Sequence, residues 1–341
     1  MLVKDFLGKK SKKGHQGLEL EVESSDELPN IKDDFWTTKA DGTLMGANGR
    51  PGFGVEYVSN GPQDISVTGK AIRSLCWELG QKKYKVLPES PRTSFHVHNN
   101  VLSHTPVQYW TGATLYWLVE PLLFDFCAPR RKANAFCLRL QDAEGILPYV
   151  FEDLRASQPF TKLGTDQIRY AGQNLAATAL HGTIEARGMD GRIDAARQES
   201  WSKALYAIYG EAAKSYDSPS ALLQEYETLP AHEFLVKNFG AEFTSQITVD
   251  KEWREKLLES AATVSELAYF HDWSKWYATI QANVKKNGLT KNTYGLDEEG
   301  LPPPRPIRRG LRPDTPLTTT MINIAAGAPN TPTTTWFGDN D

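Results

Sequence analysis

The chain alternates between two hydrophobic periods. Four segments run with period two, as half-buried strands do: near 16–23, 53–59, 93–101 and 179–188. In "GLELEVE" (Gly17–Glu23), Leu18, Leu20 and Val22 share one face, and Glu19, Glu21 and Glu23 the other. In "FGVEYVS", Phe53, Val55 and Tyr57 lie opposite Glu56, and in "SFHVHNN", Phe95 and Val97 lie opposite His96, His98 and Asn100. In "HGTIEARG", Ile184 and Ala186 lie opposite Thr183, Glu185 and Arg187. Helical spacing marks 65–80, 144–156, 194–214, 218–227, 230–238 and 249–284, the last broken near His271. Thr105 followed by Pro106 predicts an N-cap with proline at the first helical position, opening a long apolar helix to about Phe126. Asp217 or Ser218, with Pro219 just inside, caps another. "ADG" (Ala40–Gly42) reads as a turn. From about 286 the chain turns rich in Pro, Thr, Gly and Asn, which predicts an extended or disordered tail over 286–341. The expected division is a core of 1–215, a helical extension of 216–285 and that tail.

The polar strand faces carry the candidate chemistry. A solvated sheet surface would satisfy the alternation, because antiparallel sheets commonly keep one wet face. Such faces usually mix in lysine, and these four carry none. Carboxylates and imidazoles repeated on four strands fit a divalent cation, which makes clustered carboxylates favourable. The candidate metal ligands are Glu19, Glu21, Glu56, His96, His98 and Glu185. Glu23, at the strand end, reads as solvated, and His96 or His98 could instead be structural. Arg187 is either an ion-pair partner for Glu185 or a clamp on an anion, since a guanidinium fork suits phosphate oxygens. Arg169, Arg192 and Arg139 are further anion-binding candidates, with Asn174 and His181 nearby in sequence.

Composition narrows the function classes. Of 341 residues, 38 are Lys or Arg and 42 are Asp or Glu, a net charge of −4 that gives no reason to expect nucleic acid or an anionic membrane as partner. No apolar run reaches the roughly 18 residues of a membrane span. The basic N-terminus lacks the apolar core of a secretory signal. Three cysteines without a C-x-x-C favour a reducing, cytoplasmic compartment and argue against a thiolate zinc site. There is no P-loop, G-x-S-x-G or H-E-x-x-H, and "GRPGFG" has the wrong glycine spacing for a dinucleotide fingerprint.

The ordered set "GLELEVE", "DGTLMGANGRPGFGVEYVSNGP" (Asp41–Pro62), "SFHVHNN" and "LHGTIEARGMDGRID" (Leu180–Asp194), with "RYAGQNL" (Arg169–Leu175) before the last, resembles the phage and bacterial amidoligase family over roughly 15–194. These are carboxylate–amine ligases related to glutamine synthetase and glutamate–cysteine ligase. The resemblance implies an α+β fold in which a curved, mostly antiparallel sheet forms a metal-lined funnel flanked by helices. It also implies ATP, Mg²⁺ or Mn²⁺, and formation of an amide or peptide bond between a carboxylate and an amine. By motif position, Glu19 and Glu21 match the paired carboxylates of the first strand, Glu56 the glutamate of the second motif, His98 or His96 the histidine of the third, and Glu185 and Arg187 the final E-x-R. The family often has a bulky aromatic where this chain has Ala186, which is expected to face the core.

On this reading ATP activates the acid as an acyl phosphate, and the amine displaces phosphate. Glu185, Arg187 and Arg169 are the expected catalytic residues, with Arg187, Arg192 and Asn174 on the nucleotide. Glu185→Gln is expected to abolish ligation without unfolding the protein. Specificity is expected in the loops 24–50 and 127–172. Two rivals stand beside it: a zinc or iron hydrolase or oxygenase built on the H-x-H pair, and a non-enzymatic phage virion or assembly protein that docks through its tail. A homo-oligomer remains open.

Overall fold

The computed structural model describes residues 1–44, 46, 53–88, 90–132, 134–143, 145–164 and 168–289. The tail from 290 onward and most of the glycine-rich stretch before the second motif's glutamate lie outside them. The described chain is α+β. It runs α1 (Val3–Leu7), β1 (Gln16–Glu23), β2 (Trp36–Lys39), β3 (Gly54–Ser59), α2 (Ile65–Leu79), β4 (Ser94–Asn100), α3 (Pro106–Phe126), α4 (Ile146–Arg155), β5 (Gln173–Asn174), α5 (Ala176–His181) and β6 (Thr183–Asp190). Next come α6 (Ala195–Tyr206), a π-helical turn (Ala207–Ala212) and α7 (Ala213–Ser215), which form one continuous rod. Then follow α8 (Pro219–Thr228), α9 (Ala231–Ile247), α10 (Trp253–Ala268) and α11 (Trp273–Asn287).

The strands form one open antiparallel sheet in the order β2-β3-β1-β4-β6-β5. The predicted apolar faces are the buried ones: Leu18, Leu20, Val22, Tyr57, Phe95, Val97, Ile184 and Ala186 all lie in the core. Helices α2, α3 and α6 contact that side of the sheet. Helix α3 is buried nearly all round, between the sheet and the C-terminal helices, which explains why its sequence is apolar without a stripe. Its start is the expected cap: Thr105 Oγ1 accepts from the Gln108 N–H at 3.2 Å, and Gln108 Oε1 accepts from the Thr105 N–H at 2.9 Å. One hydrophobic core holds residues from Val3 to Ile280. No helix among the described residues is long and apolar enough to cross a membrane.

Several elements differ from the pattern: α1, β2 and β5 are not marked by it, and α9 continues beyond 238 to Ile247. The segment 179–188 does not run as one strand. Its first residues finish the short helix α5, which stops at Gly182 in the left-handed conformation (φ +74°). There the Gly182 N–H donates to the Thr178 carbonyl at 2.9 Å and the chain turns into β6. Further along, β6 bulges against β4. Phe95 pairs with Met189 but Val97 pairs with Ala186, so β6 spends one extra residue beside His96. The bulge resets the alternation, and Ala186 and Met189 both face the core although they are three apart.

Helix α3 also buries an acid. Glu120 accepts from the Leu140 N–H at 2.6 Å through Oε2, while Oε1 has no hydrogen-bond partner. Burial pushes its carboxyl up to about 8. The folded state therefore favours the protonated form, so this group's contribution is present below about pH 4.5 and is lost as pH rises through about 8. Urea unfolding at pH 6 and pH 8.5 should show wild type losing on the order of 2 kcal/mol more than Glu120→Gln. Equal losses in both would remove Glu120 as the cause.

Candidate metal and anion site

The register of the sheet assembles the site. Across β3-β1-β4-β6, Glu21 pairs with Glu56, Glu19 with His96, and His98 with Glu185. Because paired residues share a face, these side chains meet on the side opposite the helices. Two ligand groups result. Glu19, His96 and Glu185 can each offer one atom within 4.8 Å of the others, and so can Glu21, Asp41 and Glu56.

The two groups differ in charge balance. In the first, His96 Nδ1 lies 3.2 Å from Glu185 and 3.4 Å from Glu19, and His98 Nε2 lies 3.1 Å from Glu19. Arg187 Nη1 donates to Glu185 Oε1, and Asn174 Nδ2 donates to Glu185 Oε2 at 2.6 Å. Burial works to raise Glu185, but Arg187, His98 and His96 outweigh it and hold the carboxyl at about 2. Burial opposes ionisation of Glu19 too, and the two histidines overcome it and hold it well below the usual range. Burial would lower His98, yet Glu19 and Glu185 lift it to about 9. This half is a compensated ion network.

The second half is not compensated. Ser94 donates to Glu21, and the lysine at Lys39 offers weak relief. Burial and the charges of Glu19, Glu21 and Asp41 push Glu56 up to about 8. Its donors are all carboxylate oxygens, the set a hard divalent ion takes, and a cation there would offset their repulsion.

A cavity of about 380 Å³ opens on this face. Glu19, Glu21, Asp41, Glu56 and His96 line it together with Arg92, Arg131, Arg169 and Arg187, and Phe136 and Tyr170 complete the wall. Carboxylates that could hold a cation and guanidinium groups that could hold an anion therefore face one space. A second cavity of about 190 Å³ also reaches Glu19, with Lys12, Lys39, His98, His181 and Thr183 among its lining.

No known protein family and no curated protein matches the chain. The site must therefore be read from its own residues. Glu19, Glu21, Glu56, His96 and Glu185 fall in the two ligand groups. His98 falls in neither: its Nδ1 lies 3.0 Å from Thr183 Oγ1, and it serves as a charged neighbour of Glu19. Asn174 meets Glu185 directly and so orients it. Arg187 and Arg169 line the large cavity, but Arg192 and Arg139 do not. Arg192 lies past the end of β6, with Nε 3.8 Å from Asp190, and Arg139 is bound to Asp142 at 2.7 Å. His181 stands edge-on to His98 with ring centroids 5.9 Å apart, and burial lowers it to about 4.

Glu23 is not solvated. Its side chain is fully buried, and Arg92 grips it through Nε (2.7 Å) and Nη2 (3.0 Å) while Ser90 Oγ donates as well. The three glutamates of "GLELEVE" thus have three separate answers: histidines for Glu19, Ser94 and the second ligand group for Glu21, and Arg92 for Glu23.

Sequence reasoning missed four residues here. Asp41 looked like a turn residue only. Arg92 and Arg131 sit in loops with no periodic signal. Ser94 was legible, because it continues the alternation of His96 and His98. Arg131 is the most consequential. Its buried guanidinium donates to the carbonyls of Arg187 (2.6 Å) and Gly188 (3.2 Å), the two peptide groups that the β6 bulge removes from the ladder.

Proposed function

We propose that the protein is an ATP- and divalent-cation-dependent carboxylate–amine ligase that forms an amide or peptide bond through an acyl phosphate. The resemblance of its ordered motifs to the amidoligases is one support. The observation that carries the reading is the pair of ligand groups, Glu19/His96/Glu185 and Glu21/Asp41/Glu56: all but Glu185 line one cavity together with Arg169 and Arg187, and Glu185 is held by Arg187. On this reading the sheet is the floor of a glutamine synthetase-like funnel. Small-molecule or peptide acids and amines are its substrates.

The donor sets suit Mg²⁺ or Mn²⁺: oxygen-rich, with one imidazole, and short of positive charge at Glu56. Bound there, the cations would neutralise the phosphate oxygens and align them for transfer. The chain's own residues do the rest. Arg187 keeps Nη1 on Glu185 and Nε on the Phe136 carbonyl (3.2 Å), which fixes its plane beside the cavity. Such a preoriented donor is worth most against charge that develops during reaction. Arg169 lies against the Tyr170 ring, 5.9 Å from its centroid, and adds a second cation beside the same space. Asn174 holds Glu185 in place. Phe136 and Tyr170, 5.7 Å apart and edge-to-face, form an apolar stretch of wall that limits water beside the reacting groups.

Thermal unfolding with Mn²⁺ or Mg²⁺, with and without ATP, tests this against Glu19→Gln/Glu56→Gln. A ligand at about 100 times its Kd adds about 2.7 kcal/mol, which is several degrees here. The shift should appear in wild type and vanish in the double variant. It should also grow as pH rises toward about 8, because a cation must displace the Glu56 proton. An equal shift in both proteins would sink the assignment. With a shift in hand, phosphate release from ATP on mixing acids with amines identifies the substrates.

A further inference from the structure

A third cavity, of about 200 Å³, lies outside the site just described. The loop of Lys12 and His15, the end of β4 at Asn100, His104 and the π-helical turn enclose it, with Lys214 at its edge. No Asp or Glu lines it. The side-chain amines of Lys12 and Lys214 have no hydrogen-bond or ion-pair partner among the described residues, in contrast to those of Lys132, Lys237 and Lys256.

The walls are built rather than incidental. A π-turn widens a helix by one residue and is costly enough that it concentrates at functional positions. Here it directs the Tyr209 carbonyl at His104 Nε2, 2.6 Å away, which fixes that nitrogen as the donor. Gly210 is needed for the turn, since a Cβ there would fall 2.4 Å from the Tyr206 ring that lines the cavity. That ring meets His15 edge-to-face at 4.8 Å. Asn100 Nδ2 donates to the carbonyls of Lys12 (3.0 Å) and Gly14 (2.8 Å), so β4 holds the lysine loop in position. His104 is 2% exposed, and its Nδ1 has no hydrogen-bond partner.

We infer that this cavity binds a small tetrahedral oxyanion, either free phosphate or the terminal group of a phosphomonoester, between Lys12 and Lys214. The volume admits a phosphate with some of its water, and two cations with no acid among the lining residues leave the charge balance to the ligand. Burial and the nearby Lys214 keep His104 uncharged, down at about 4, so it contributes a polar wall and no further charge. The inference does not rest on ligase activity, since its residues other than Lys12 are apart from both carboxylate cavities.

Titration calorimetry with orthophosphate at constant ionic strength tests it on the full chain. Wild type should bind one phosphate, and Lys214→Gln should bind it about tenfold or more weakly, the loss of one charge-assisted contact. Lys12→Gln should weaken it similarly. Lys237→Gln, whose lysine pairs with Glu225 and lines none of the three cavities, should bind phosphate as wild type does. Glycerol phosphate serves as the monoester: tighter binding than orthophosphate assigns an ester, and weaker binding assigns the free ion. Chloride at matched ionic strength should give no heat. Unchanged affinity in Lys214→Gln, or no phosphate heat in wild type, would overturn the assignment. Because Lys214 is exposed on α7, its variant should keep the wild-type melting temperature in phosphate-free buffer, so misfolding does not confuse the result.

Discussion

On the proposed metal reading, Glu185→Gln is expected to lower divalent-cation affinity by about 100-fold or more and to destabilise the metal-free protein by up to about 3 kcal/mol. From sequence the same change looks structurally silent. The structure says otherwise, because Glu185 is the counterion of a buried network. Arg187, His96 and His98 all face it, and Asn174 donates to its second oxygen. Glutamine keeps one acceptor oxygen, but its amide group must meet a donor where a carboxylate oxygen used to be. It also leaves the Arg187 charge without its closest partner in a site only 4% exposed at Glu185. Removing one member of a buried pair costs more than the pair contributes, which puts the loss near the low end of the usual 3–5 kcal/mol range. Two measurements separate the effects: urea unfolding without metal, and Mn²⁺ titration under conditions where the variant is folded. A variant that bound Mn²⁺ like wild type would remove Glu185 from the metal site. A variant as stable as wild type would show that Arg187 finds another partner.

Arg131→Met should be the most disruptive substitution outside the ligand groups, costing about 3 kcal/mol or more. Methionine fills much of the volume, so the loss is mainly polar. Two carbonyls at the β6 bulge lose their donor, and each buried unsatisfied group costs about 1–3 kcal/mol. The functional effect should follow from the same contacts. The Arg131 guanidinium holds the backbone on which the Arg187 side chain is mounted, so a relaxed bulge would release Arg187 from Glu185. The expected signature is a lowered melting temperature together with weaker nucleotide binding, while Mn²⁺ affinity changes less, since no metal donor is lost. Arg131→Lys should recover part of the stability by reaching one carbonyl. If Arg131→Met matched wild type in both stability and nucleotide binding, the bulge would be held by other contacts.

The legible parts of the site were those written in strand alternation. Glu19, Glu21, His96, His98 and Glu185 announce themselves because period two puts them on the face opposite Leu18, Phe95, Val97 and Ile184, and the sheet register then brings them together. What alternation could not convey was pairing over distance. Glu23 follows the same pattern as Glu19, yet its environment is decided by Arg92, far along the chain and in a loop. Asp41 sits in a turn whose sequence would be the same with or without carboxylates beside it. Gly188, in the β6 bulge, lies close to Phe124 and Trp201, and Arg131 grips its carbonyl, contacts that no local window contains. Arg192 and Arg139 were plausible by proximity in sequence alone, and chain direction carried them away. In the fold, the longer helices were plain from their spacing, but α1 and α5 were hidden, because five or six residues are too few to show a helical period, and the part of α9 after Gly240 was missed too.

The strand order has a consequence for how the protein is made. β1 is the first strand to leave the ribosome but lies in the interior of the sheet, between β3 and β4. Glu19 and Glu21 therefore emerge long before His96, Glu185 and Arg187, the groups that share their charge. At roughly 5–20 residues per second, synthesis leaves the carboxylates without these partners for on the order of ten seconds. During that interval β1 and β3 can pair and α2 can begin to cover β1, but the β4-facing edge of β1 stays open until β4 arrives. A nascent chain stalled before β6 would display an incomplete, acidic half-sheet, so protection by chaperones should matter most for translation intermediates that end between β3 and β6.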